Sequence, residues 1–273
     1  MGHNMVETTS TEQTAETLKE ALPSKSAAIH ELIRRHGEKE LGRDVLALLW
    51  SAIAAGISMS FSMMARGILE ANLPASEMSF LISSAGYSVG FIIVIIANQQ
   101  LFTENTITPV LPFMDQPSVR NLWRVARLWG VVLTGNLIGG GIAATAFAML
   151  PIFSDDTLRS FVAMGHHLME NTAGEMFGKS IISGWLIATL VWMLHSTKAS
   201  HFAIIFLVTY LIAIGDFTHI IVGSIEVIFL LLIGEVSFTD AVLRFGIPTL
   251  FGNVFGGTFI FALISHAQIK ADE

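Results

Sequence analysis

The sequence contains no cysteine and only 2 tyrosines in 273 residues. The first absence excludes a disulfide framework and any thiolate-bound zinc or iron–sulfur centre. Charge is also scarce, at 14% of residues, where a soluble domain carries about 25%. Apolar residues reach 52% and the mean hydropathy is +0.63. A chain with so little charge cannot clothe a water-facing surface, so lipid is its main solvent. A basic excess is missing as well: 15 Lys and Arg stand against 22 Asp and Glu, a net charge of −7. The acidic N-terminal tail inflates that value, and no electrostatic footprint for nucleic acid is left.

What is abundant is uncharged apolar sequence. An ionised side chain at the bilayer centre costs roughly 2.5–3.5 kcal/mol on insertion scales, so charge-free runs mark the spans. They cover 45–65, 78–103, 128–154, 180–197 and 245–269, and a sixth stretch, 199–234, is interrupted only by Asp216 and Glu226. That stretch is too long for one straight crossing of a core about 30 Å thick, so it must break. The second run meets Glu104, Asn105 and Thr106 and then a short apolar piece with Pro109 and Pro112. Backbone freed at such interruptions can be satisfied only by protein or water, so both breaks are expected to face the interior. With six spans, 11 of the 15 Lys and Arg fall on one side, which places both termini in the cytoplasm.

Four regions follow from this reading. Residues 1–25, rich in Thr and Glu, form a disordered cytoplasmic tail. Residues 26–43 carry Ile29, Leu32, Ile33 and Leu41 among charges, the pattern of an amphipathic interfacial helix or equally of a solvated one. The six-span domain covers 44–269, and 270–273 is a cytoplasmic end. Within the domain a duplication is visible. Gly135-Asn136-Leu137-Ile138-Gly139-Gly140 and Gly252-Asn253-Val254-Phe255-Gly256-Gly257 both read G-N-x-x-G-G, while Phe102-Thr103 and Phe217-Thr218 mark the two breaks. The first repeat spans about 44–150 and the second about 174–269. Three spans per repeat make the second copy inverted, and broken helices of inverted repeats meet near the bilayer midplane. The glycines spaced four apart read as sites of close helix approach.

Leu101-Phe102-Thr103 at the first break, His219 after the second, Gly-Asn in the third and sixth spans, and the run Trp185 to Trp192 resemble the formate/nitrite transporter family, in a divergent inner-membrane branch. The resemblance implies an all-α fold of aquaporin-like protomers with a 3+3 inverted repeat, assembled as a homopentamer in the bacterial inner membrane. Each protomer of the family passes small monovalent anions such as formate or nitrite. Carried over to this sequence, the central pore residues are His219 and Thr103, with Glu104 beside them. Phe91, Leu101 and Phe102 match the cytoplasmic constriction, and Tyr87, Ile187 and Ile212 the periplasmic one. Gly184 and Gly223 stand where the family has asparagine. Leu168, with His166 and His167 close by, stands where it has an external lysine.

His219, a lone ionisable group inside a span, is a candidate for pathway or proton-relay duty. Glu104, Asp216 and Glu226 must each be paired, hydrated or protonated, and Glu104 suits either a helix cap or proton handling. His195 and His201 flank a turn and His166-His167 are adjacent, so neither pair has the spacing of two metal ligands on one helix face. The reading is of a channel or secondary transporter, not an enzyme, with the bilayer and a small anion as partners and no cofactor, metal or nucleic acid. Two other readings fit the same residues: a non-conducting or pH-sensing pentamer, and a channel for a neutral small solute.

Overall fold

The computed structural model describes residues 25–197 and 200–272, with side chains placed through residue 269. The tail and the charge of Lys198 and Lys270 lie outside those side chains. Among the described residues the chain is all-helical. Helix α1 is Lys25–Leu41, α2 is Val45–Asn72, and α3 is Glu77–Ile96 with a 3₁₀ turn at Ala85–Tyr87. A break leads to short α4, Val110–Asp115, then α5, Val119–Met149. Helix α6 is Asp155–Glu170 and α7 is Ala173–Ser196. Helices α8, His201–Ile214, and α9, Ile220–Leu232, flank the second break. Helix α10, Phe238–Ile269, closes the bundle.

Five of these helices, α2, α3, α5, α7 and α10, are long and apolar enough to cross a membrane. The stretch 199–234 is instead two shorter apolar helices, as its length required. The first break begins earlier than the polar residues suggested. Helix α3 ends at Ile96, and the backbone turns left-handed at Asn98 (φ 53°). The same device ends α8, where Asp216 also has φ 53°. Asparagine and aspartate adopt this conformation more readily than other side chains. In both places the next amide reaches back five residues, Gln99 N–H to Val94 O and Phe217 N–H to Ile212 O, closing a Schellman turn.

The G-N-x-x-G-G segments anchor these breaks. Asn136 is fully buried; its Oδ1 accepts from Phe102 N–H at 2.8 Å and its Nδ2 donates to Gln100 O and Ala52 O. Asn253 does the same for the second break, accepting from Ile220 N–H at 2.9 Å and donating to Ser180 O. A weaker bond at 3.4 Å joins its Nδ2 to Thr218 O. A Cβ on Gly139 would overlap Ile53 O, and one on Gly256 would overlap Ile181 O, so α2 meets α5 and α7 meets α10 backbone to backbone. Gly184 has the same cause: a Cβ there would strike the Asn253 carbonyl, so a larger residue would push α10 away.

These anchors set a register that the sequence match did not. Asn136 holds Phe102, while Asn253 holds Ile220, three residues beyond Phe217. Leu101 and His219 therefore occupy corresponding places, and this single difference makes the two breaks chemically unequal.

Helix α1 is docked on the bundle. Ile29, Ile33, Gly37, Glu40 and Leu41 are buried and Leu32 is exposed, so the inward stripe passes through Gly37 and Glu40 rather than Leu32. A Cβ on Gly37 would overlap Thr108 O. Glu40 accepts from Gln100 Nε2 at 2.9 Å and pairs with Arg43 at 2.9 Å, tying α1 to the first break. His30 meets His266 of α10 at 3.3 Å, so the two ends of the described chain share one face, here the terminal face.

Burial holds His30 and His36 below the ordinary histidine value of 6.5; Asp115 and Glu40 respectively oppose that shift, and His266 and His195 reinforce it. A lowered imidazole favours the neutral form in the docked state. Docking is therefore at full strength above pH 6.5 and weakens as the pH falls below it. The protection of α1 amides against hydrogen exchange, corrected for the intrinsic rate at each pH, should fall on acidification to pH ~5, and the double variant His30→Asn, His36→Asn should not show that fall.

Candidate functional site

The second break brings His219 to the N-terminus of α9, where extended backbone (φ −127°, ψ 129°) lets its ring cap the helix. Nδ1 accepts from the backbone N–H groups of Ile221 and Val222 at 3.3 and 3.4 Å. The ring proton of the neutral imidazole is then on Nε2, which lies 2.8 Å from Thr103 Oγ1. Nε2–H donates, Thr103 Oγ1 accepts, and the Thr103 hydroxyl proton is free to serve a passing acceptor. Both residues are buried, Thr103 at 0% and His219 at 2% exposure. The hydrogen bond joins Thr103 of the first break to His219, the residue after the second Phe-Thr pair.

Two cavities flank the pair. One, of about 40 Å³, is lined by His219, Thr218, Tyr87, Ile212, Glu226 and Asp216 among others. The other, of about 100 Å³, is lined by Glu104, His36, His195, Asn98, Gln99 and Asn105 among others. They open at opposite ends of α7: Lys179 near its start pairs with Asp216 at the first cavity, and His195 near its end lines the second. Sixteen helical residues put these positions about 24 Å apart. The second cavity lies on the terminal face, since α1 contributes His36 to it.

Phe91 is fully buried and sets its ring edge against His219 at 5.1 Å and its side against Tyr87 at 5.4 Å. Leu101 and Phe102 are buried in the same core, and Phe102 meets Trp129 at 6.1 Å. Tyr87 and Ile212 line the smaller cavity, while Ile187 is fully buried in the core beside them and lines neither. Gly223 accommodates the Phe245 ring, which a Cβ would overlap.

The acidic candidates do not gather at one point. Glu104 faces the cavity of the terminal face and His219 the opposite one, so the two do not share a chamber. Asp216 is at the mouth, 37% exposed, held by Lys179 at 2.5 Å and His167 at 3.3 Å. Glu226 is not at a break but two turns into α9, 7% exposed, lining the cavity with His219.

Several lining residues escaped the sequence reading. His36 and His195, their rings 5.8 Å apart, line the terminal cavity. The spacing Ile29, Ile33, His36, Glu40 repeats on one helical face and could have placed His36 inward. Helix α6 was also missed, although Ser154 before Asp155-Asp156-Thr157 is an N-cap signature and Phe161, Met164, Leu168 and Met169 follow at helical spacing. It supplies His167 and Leu168 to the smaller cavity.

A multi-pass bundle of apolar helices, with two broken segments meeting between cavities that enter from opposite ends, is the architecture of a membrane channel or transporter and not of an enzyme. The formate/nitrite transporter sequence pattern matches residues 27–267, and the chain belongs to that family. It is 55% identical over 254 residues to the inner membrane protein YfdC of Escherichia coli, covering 93% of this chain and 82% of that one. Its fold is similar to that of a pentameric formate channel with formate bound, with a TM-score of 0.71 at 21% identity over 83% of this chain and 98% of the other. A second structure, an FNT family ion channel, aligns with a TM-score of 0.72 at 17% identity, covering 89% and 96%.

Proposed function

We propose that this protein is a proton-linked channel or secondary transporter for small monovalent weak-acid anions of the formate type. The observation that carries the reading is the buried Thr103–His219 hydrogen bond where two cavities approach from opposite faces. The Thr103 hydroxyl offers one donor to a passing anion. Phe91, Leu101 and Phe102 form the constriction toward the terminal face, and Tyr87, Ile187 and Ile212 the opposite one. A bare anion meets apolar walls on both sides, so a proton must accompany it. The six-span inverted repeat counts α8 and α9 as one broken crossing, and the matched asparagine anchors support it. By similarity to the pentameric relative the assembly is a homopentamer in the bacterial inner membrane. The positive-inside balance puts the terminal face in the cytoplasm.

Uptake of labelled formate into proteoliposomes tests this against nitrite, acetate and glycerol. Formate should enter, faster as the outer pH falls from ~7.5 to ~5, a range that brackets the histidine value. Entry of glycerol without formate would replace the reading with a neutral-solute channel. Silence toward all four would make the protein non-conducting.

A further inference from the structure

Glu104 and Glu226 are two carboxyl groups that the central hydrogen bond leaves unused, one lining each cavity. Neither has a hydrogen-bond or ion-pair partner for its carboxyl among the described residues, whereas Asp216, Glu40 and Glu70 are all paired. Glu226 shares the smaller cavity with His219, seven residues and two helical turns along the same face of α9. Glu104 follows Thr103 directly and turns into the opposite cavity, where Gln99 Oε1 is buried and also unpartnered. An unpartnered carboxyl at membrane depth requires water, a counter-charge or a proton.

The imidazole between them is poorly built to exchange a proton. Its Nδ1 faces two backbone N–H donors at the positive end of α9, so an imidazolium would set a third donor against them. Nε2–H is already committed to Thr103 Oγ1. His219 is a positioning residue that caps α9 and orients the Thr103 hydroxyl.

We propose that Glu104 and Glu226 are the proton-exchange sites of this protein, one on each side of the Thr103–His219 pair. This rests on the functional reading above and names the groups that move the proton. In the smaller cavity, protonated Glu226 gives its proton to the substrate carboxylate, forming the neutral acid and a Glu226 carboxylate. The neutral acid passes the central pair. In the opposite cavity it returns the proton to the Glu104 carboxylate and leaves as the anion. Glu226 is reprotonated from, and Glu104 deprotonated to, the water of its own cavity, so one proton crosses with each anion.

The charged and titratable groups facing Glu226 are Arg66 and Glu70 of α2, Tyr87 of α3, His167 of α6, Asp216 of the break, and His219. Those lining the cavity of Glu104 are His36 of α1 and His195 of α7. The substrate class is therefore a weak acid that can accept a proton from a carboxyl; anions of strong acids, such as chloride, are excluded.

Two measurements on reconstituted full-length protein test the assignment. In the first, labelled formate uptake and the pH inside the vesicles are followed together. Wild type should acidify the interior as formate enters. Glu104→Gln and Glu226→Gln should each flatten the pH profile and lose that coupled acidification. His219→Asn, whose amide can still accept from the α9 N–H groups and donate to Thr103, should lower uptake but keep the wild-type pH profile. A profile lost in His219→Asn and kept in both Gln variants would return the proton to the imidazole and overturn the proposal. The second measurement needs no substrate. Infrared difference spectra between about pH 5 and 8 should show a protonated-carboxyl band in wild type that is reduced in each Gln variant and absent from the double variant. Its persistence in the double variant would overturn the proposal even if formate is not carried. Its loss in a protein that carries no formate would keep the two proton sites and sink only the substrate reading.

Discussion

Asn253→Leu should leave little folded protein in detergent, and Asn136→Leu should do the same. Each substitution removes the amide that holds the backbone of a break and puts a larger, apolar side chain in its fully buried place. In the first break the orphaned groups are Phe102 N–H and Gln100 C=O. In the second it is Ile220 N–H, since Thr218 C=O keeps its hydrogen bond from Ser183 Oγ. A buried polar group without a partner costs about 1–3 kcal/mol, so the first break loses about 2–6 kcal/mol and the second about 1–3 kcal/mol. That is a large share of the 5–15 kcal/mol that holds a typical domain together. Size-exclusion profiles and thermal unfolding in detergent read the result. Asparagine-to-aspartate exchange at the same sites separates the roles: it keeps the acceptor for the amide and loses the donor to the carbonyl, so it should fall between wild type and leucine. A wild-type melting profile in either leucine variant would mean that the breaks are held by something other than these amides.

The second large effect is functional. Phe91→Ala should turn a selective pathway into a leak for chloride. The ring is fully buried against His219 and Tyr87, so its removal opens space directly beside the central pair. Dehydrating a small anion in a low-dielectric passage costs several kcal/mol. If the vacated volume lets water follow the ion and recovers about 3 kcal/mol, flux rises roughly 100-fold, because each 1.36 kcal/mol is a factor of ten. The same substitution lowers stability by about 3–5 kcal/mol, as for other buried phenylalanines. Chloride efflux from loaded vesicles, normalised to folded protein, is the readout, and Phe91→Leu should leak far less. Chloride tightness in Phe91→Ala would place the barrier elsewhere.

The spans and both breaks were legible because their signal is one-dimensional. Apolar runs, an overlong sixth stretch and the duplicated G-N-x-x-G-G segments can all be read along the chain. Thr103 and His219 could be singled out in the same way, Thr103 closing the first Phe-Thr pair and His219 following the second. Register was less legible: two residues of identity aligned Phe102 with Phe217, while the asparagine hydrogen bonds align Phe102 with Ile220. Side-chain convergence was not legible at all. Arg66, His167 and Asp216 come from three separate elements to one cavity, and no spacing in the chain announces their meeting. Helix α6 was lost between two apolar runs because it is amphipathic and carries Asp155, Asp156, Arg159 and Glu170, so a search for charge-free sequence passes over it. Helix α1 was seen as amphipathic but not as docked, since what it docks on is backbone, the Thr108 carbonyl opposite Gly37.

The position of α1 has a consequence for the order of assembly. This helix leaves the ribosome before any of the membrane spans, yet its seat is built from Thr108, from α7, and from His266 near the end of α10. Its partners are thus synthesised after it, His266 236 residues later than His30. Helix α1 must therefore wait for its seat and dock after these partners are made. Until it does, the His36 wall of the terminal cavity is missing, so a half-made chain lacks that boundary.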